Sequence, residues 1–170
     1  IVELRDRLGP LVWQFDAGTR IDRDGFAAFL ELLPRQAGGL RLRHVLDVRD
    51  RAFVDAGFVA LARRHGMATV FTDSDEHPSF ADATADFVYA RLMRAQAGIA
   101  TGYPSPQLQA WAERARTWAE GGVPEGLPVL SGDTAPARKR DVFVFFLAAA
   151  KERNPAAALA LLRLLGARGG

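Results

Sequence analysis

RHVLDVRDRAF, residues 43–53, sets a pair of charges inside an otherwise apolar run. Val45, Leu46 and Val48 are what a core strand wants, yet Asp47 and Arg49 stand two residues apart in the same run. Residues two apart in a strand share a face. Val45, Asp47 and Arg49 therefore lie on one side, and Leu46 and Val48 on the other. One face stays apolar, as a face covered by helices must. The other turns polar toward the C-terminal end of the strand, where parallel α/β folds assemble their sites.

Along the chain, apolar runs of strand length alternate with segments of helical period. GPLVWQF (9–15) is a strand, and DRDGFAAFLELLPRQ (22–36) a helix with Phe26, Phe29, Leu30 and Leu33 on one face, capped by Asp22 or Asp24. The opening strand comes next, followed by FVALARRHG (58–66), a short helix stopped by Gly66. MATVFTD (67–73) and DFVYARLM (86–93) are strands joined by the turn-rich SDEHPSFAD. SPQLQAWAERARTWAEGG (105–122) is a helix with Leu108, Trp111, Ala115 and Trp118 on one stripe, which makes both tryptophans packing residues. A proline- and glycine-rich surface loop, 122–140, precedes the strand DVFVFFL (141–147). The helix NPAAALALLRLLG (154–166) closes the series, with Asn154 as cap and Pro155 at its first position.

Strands that alternate with helices are parallel, because each helix returns the chain to the same end of the sheet. No glycine-rich phosphate loop follows any of the five strands, which excludes a dinucleotide fold with its usual fingerprint. What the strands share is a polar residue near the C-terminal end. The fold class is therefore α/β: a parallel, TIM-barrel-like (β/α) architecture of about five β/α units, in a single domain over 1–170. A closed barrel takes eight strands in about 250 residues. These five predict an open half-shell, a fragment of a barrel, with edges that invite self-association.

The same pairing rule places the site residues. Val12, Gln14 and Asp16 share a face, as do Thr69, Phe71 and Asp73; Phe87, Tyr89 and Arg91; and Val142, Val144, Phe146 and Ala148. Gln14, Asp47, Arg49, Asp73 and Arg91 are then expected to meet at one mouth. Guanidinium groups there suit a small anionic, sugar-phosphate-like ligand. Arg49 and Arg91 are the ligand-binding cations, Asp47 the catalytic acid/base, and Gln14 and Asp73 orienting groups.

Composition bounds the alternatives. The 170 residues are 49% hydrophobic and 25% charged, ordinary for a globular domain, with a formal net charge of +2. Basic residues are interleaved with acids and form no run that tracks a phosphate backbone, so nucleic acid is a weaker candidate partner than a small anion. No apolar run approaches a membrane span, and DVFVFFLAAA is cut off by Lys151, Glu152 and Arg153. Early charges at Glu3, Arg5, Asp6 and Arg7 do not read as a secretory signal. The absence of cysteine excludes disulfides, thiolate metal sites and a cysteine nucleophile, and fits a cytoplasmic protein. His44, His65 and His77 have no metal-site spacing, and DSDEH (73–77) lacks the glycine and terminal glutamate of a calcium loop. No metal and no cofactor is expected.

LGPLVWQF, DGFAAFLELLP, RHVLDVRDRAF, TADFVYARLMR and TGYPSPQLQAWAERARTWAEGG, in this order, resemble the YecE-like family, domain of unknown function 72. The resemblance implies a TIM-barrel-like fold with a polar pocket at the strand C-termini and no established reaction. It runs from residue 8 to about 166 and corresponds to the C-terminal portion of the family's domain. Gln14, Arg49, Asp73 and Arg91 keep the family pattern. Asp47 stands where the family has a glutamate, Asp50 where it has a histidine, and Ala148 and Ala149 where it has an asparagine and a small residue. These changes take an amide and an imidazole from the pocket, so a weakened or inactive remnant is a third expectation.

Overall fold

The computed structural model describes residues 2–19, 22–132 and 137–166. Five parallel strands form one sheet: β1 (Leu11–Phe15), β4 (His44–Val48), β5 (Ala68–Thr72), β6 (Phe87–Leu92) and β7 (Asp141–Phe146), in the order β1-β4-β5-β6-β7. A small antiparallel hairpin, β2 (Gln36–Ala37) and β3 (Leu40–Arg41), lies between β1 and β4 and is not foreshadowed by the periodicity. The helices are α1 (Arg23–Leu32), α2 (Ala56–His65), α3 (Ser105–Ala119) and α4 (Asn154–Leu164). Every strand and helix read from the sequence is present.

The helix ends follow local chemistry. Asp22 caps α1 by accepting from the Gly25 amide at 2.7 Å, and Asp55 caps α2 through the Phe58 amide at 2.9 Å. Gly66 ends α2 in the left-handed conformation, with φ 64°. Asn154 departs from its expected capping role. It lies within α4 and donates to the Ala148 carbonyl, because a 3-10 turn at Lys151–Arg153 runs directly into the helix.

The sheet is covered on its helix side by two packed groups. Trp13, Phe15, Phe26, Phe29, Phe53 and Phe58 form an edge-to-face aromatic cluster under α1 and α2. Leu92, Ala90 and Val88 pack against Leu108, Trp111 and Trp118 of α3 and Ala157 and Leu161 of α4. The other face of the sheet, concave in a barrel, is apolar at its base, with Val45, Ala68, Val70, Phe87 and Tyr89 in contact.

The ladder corrects two of the expected faces. Val45 pairs with Ala68, which puts Ala68, Val70 and Thr72 on the inner face and turns Thr69, Phe71 and Asp73 to the helix side. Phe71 accordingly packs edge-on against Trp118, with ring centroids 5.5 Å apart. Tyr89 pairs with Phe143 and Arg91 with Phe145, so Val142, Val144 and Phe146 also face the helices. Both strands are apolar on both faces, and nothing in their composition signals which set is inner.

Curvature is visible at the N-terminal end of the sheet. Arg43, just before β4, reaches Asp141 of β7 at 2.6 Å, although two strands lie between. Three strand spacings in a flat sheet would separate them by about 14 Å. β1 and β7 nevertheless do not pair with each other, so the sheet is an open arc.

The crossover from β5 to β6 carries no helix. Residues 78–85 cover the sheet as an irregular strap instead. Its polar groups are satisfied: Thr84 Oγ1 accepts from the Thr69 amide at 3.0 Å, and Asp82 accepts from the amides of Leu130 and Ser131 at 2.7 and 3.0 Å. Asp82 thereby pins part of the loop expected over 122–140. Gly121, with φ 97°, permits a turn in which any Cβ would lie 2.5 Å from the Arg138 backbone.

Candidate functional site

Four of the five expected site residues meet at the C-terminal ends of β1, β4 and β6. Gln14 and Asp47 are register partners on adjacent strands, and Arg91 lies on the same inner face of β6. Asp47 is buried and accepts three guanidinium hydrogen bonds. Arg49 Nε reaches Oδ1 at 3.0 Å and Arg49 Nη2 reaches Oδ2 at 3.0 Å, a forked pair; Arg91 Nη1 reaches Oδ2 at 2.5 Å. Arg49 Nη2 also donates to Gln14 Oε1 at 3.4 Å, and the Gln14 amide nitrogen donates to Asp16 at 3.0 Å.

The fourth arm of this cluster was not foreseen. Arg49 Nη1 lies 2.7 Å from His77 Nε2 and 3.2 Å from His77 Nδ1. A guanidinium only donates, so the imidazole nitrogen facing it accepts and carries no proton. His77 belongs to the turn-rich, acidic DSDEHP segment after β5. Its one sequence signal is position: it follows a parallel strand at the C-terminal end, where barrel sites collect. Asp50, by contrast, turns away into its own loop, where Oδ1 accepts from the Ala52 amide at 2.9 Å.

Below the charged layer, Tyr89 stacks on Phe145 with centroids 4.7 Å apart, and the Arg91 guanidinium lies 5.7 Å from the Tyr89 ring. Arg91 Nε is buried and has no hydrogen-bond partner among the described residues. Two guanidinium groups thus face one carboxylate.

Asp73 is not part of this constellation. One residue beyond β5, it faces the other way, toward the start of the β6–α3 connection, where its carboxylate accepts from the Met93 amide and from the Tyr103 hydroxyl. Tyr103 in turn accepts from the Arg94 amide at 2.7 Å. Burial pushes the Asp73 carboxyl up to about 6, against the opposing pull of the Met93 amide and the Arg94 charge. The same burial, with the Asp73 charge beside it, raises the Tyr103 hydroxyl.

The last strand brings no polar group to the mouth. Ala148 and Ala149, following β7, both adopt left-handed backbone conformations, with φ 54° and 43°. Asparagine adopts that region at lower cost than alanine, a backbone reason for the asparagine that the resemblance places there.

Comparison with known proteins adds the family. A model for the protein family of unknown function DUF72 matches residues 1–170. The chain belongs to the DUF72 family. Two DUF72 proteins of known structure have similar folds. One, from Thermotoga maritima, is 16% identical with a TM-score of 0.61, over 94% of this chain and 57% of its own. The other, from Enterococcus faecalis, is 14% identical with a TM-score of 0.63, over 98% of this chain and 64% of its own. This chain thus spans about three-fifths of the length of those DUF72 proteins. No curated protein matches it. Among the described residues no helix is long and apolar enough to cross a membrane.

Proposed function

We propose that the mouth cluster binds a small anion, such as a phosphate or carboxylate group of a metabolite, between Arg91 and Arg49. The observation that carries this reading is the unequal charge: two guanidinium groups against one carboxylate in a largely buried cluster, with one guanidinium N–H left without an acceptor. An arriving anion supplies the missing charge.

The roles divide by geometry. Arg91 is the main anion ligand. Arg49 is the second, oriented by the fork to Asp47 and by Gln14. Both Asp47 oxygens are occupied by guanidinium hydrogen bonds, so Asp47 positions the two cations, and any proton transfer falls to His77, whose acceptor nitrogen faces Arg49. A ligand that displaces His77 from Arg49 frees this nitrogen to act as base. The cysteine-free composition suits such a binding protein in the cytoplasm.

Isothermal titration with inorganic phosphate and with acetate tests the reading. Saturable binding that Arg91→Gln weakens about tenfold or more is the expected result, the loss of one charge-assisted hydrogen bond. Equal affinity in wild type and Arg91→Gln overturns it.

A further inference from the structure

The helix-free crossover from β5 to β6 leaves a second opening, on the opposite side of the sheet from the mouth. It is a cleft of about 480 Å³ between the first turns of α3, the end of β5 and the loop at 127–128. That volume is within the roughly 300–1,000 Å³ typical of small-ligand sites. Phe71 and Trp111 form its floor, and Leu127 and Pro128 one wall.

Its charged groups are not equivalent. Arg94 is committed, pairing with Asp75 at 2.7 Å and donating to the Asp73 carbonyl. Asp73, at the back, is held by the Met93 amide and Tyr103. Arg114 projects from α3 with its guanidinium 4.4 Å from the Trp111 ring centroid, and no carboxylate pairs with it among the described residues. A half-buried guanidinium held against an indole, without a counter-ion, offers a forked donor pair to a carboxylate. The apolar floor and wall beside it favour a hydrocarbon body over a compact, hydrated ion.

We propose that this cleft is a second binding site, for a small carboxylate with an apolar body, which pairs with Arg114 and packs on Trp111, Leu127 and Pro128. The site is separate from the Asp47–Arg49–Arg91 cluster and does not depend on the function proposed for it. The two differ in selectivity: the mouth takes a compact anion, and the cleft requires the apolar body.

Titration of the ¹⁵N-labelled protein with 2-naphthoate, and separately with inorganic phosphate, tests this through the indole N–H resonances. Trp13 donates its indole N–H to His44 and Trp118 is fully buried, so Trp111 reports on the cleft. The expected result is a saturable shift of the Trp111 signal with 2-naphthoate and none with phosphate. Arg114→Gln weakens 2-naphthoate about tenfold, the loss of one charge-assisted contact. Ala110→Phe, which fills the cleft while keeping Arg114, abolishes the shift and serves as the second arm should Arg114→Gln disturb α3. Arg91→Gln leaves the 2-naphthoate affinity unchanged. The proposal is overturned if 2-naphthoate produces no saturable shift, if Ala110→Phe binds it as wild type does, or if Arg91→Gln removes the binding.

Discussion

Asp47 and Asp73 both lie near the C-terminal ends of neighbouring strands, and the molecule treats them in opposite ways. Asp47 faces the inner side and is neutralised by two guanidinium groups at 2.5–3.0 Å. Asp73 faces the helix side, where burial outweighs the pull of the Met93 amide, the Arg94 charge and the Tyr103 hydroxyl and raises its carboxyl to about 6. One is an ion bound by ions; the other is an acid partly withdrawn from water. The difference comes from strand parity, since a single residue along a strand decides which set of partners a carboxylate meets.

Asp47→Ala has the largest expected effect on stability. It leaves two mostly buried guanidinium groups facing each other without a counter-charge, and a loss of about 3–5 kcal/mol is expected in urea unfolding at neutral pH. An unchanged midpoint would show that Arg49 and Arg91 are already solvated.

Tyr103→Phe acts on the other carboxylate. It removes the donor to Asp73 and the acceptor of the Arg94 amide, at a cost of about 1–2 kcal/mol. Because the Tyr103 hydrogen bond favours the ionised form of Asp73, its loss moves the Asp73 titration upward from about 6, which ¹³C NMR of the side chain reads directly.

Asp73→Asn tests the same contrast through pH. The folded protein holds the Asp73 proton more tightly than the unfolded chain does, whose carboxyl titrates near 3.8. Stability from this group is therefore complete below that value and is lost as pH rises through about 6. Asparagine removes the dependence. Between pH 4 and 7 the variant gains on wild type by on the order of 1 kcal/mol, discounted for the carboxylate's partial exposure. A parallel pH profile for the two proteins would place the Asp73 carboxyl in water.

Ala148→Gly gives the smallest effect. Relief of one left-handed alanine is expected to stabilise by less than about 1 kcal/mol, part of the gain being offset by the entropy of the added glycine. A thermal melt measures it, and a lower Tm would argue that this turn is not left-handed in solution.

The inner-face site was legible where a strand contrasts with itself. In β4 and β6 a charged residue interrupts an apolar run, so the positions of Asp47 and Arg91 follow from period-two alternation. Gln14 follows in the same way from β1. His77 was hidden because it reaches Arg49 from a loop, and no periodicity governs a loop. Asp73 takes the face opposite to the expected one because Thr69, Val70, Phe71 and Thr72 suit either side of a sheet. The cleft beside Arg114 has no sequence signature, since it exists only where the strap and α3 fail to fill the space a helix would occupy.

Local sequence pattern carries the order and type of the main elements and the parallel arrangement of the five strands. These depend on local period and on connection length, which a chain carries along its own contour. Tertiary structure decided the parity of β5 and β7, the arrival of His77, the pairing of two arginines on Asp47 and the separate fate of Asp73. Those depend on register between strands, because inter-strand hydrogen bonds, not composition, choose the face of a residue in a strand that is apolar on both sides.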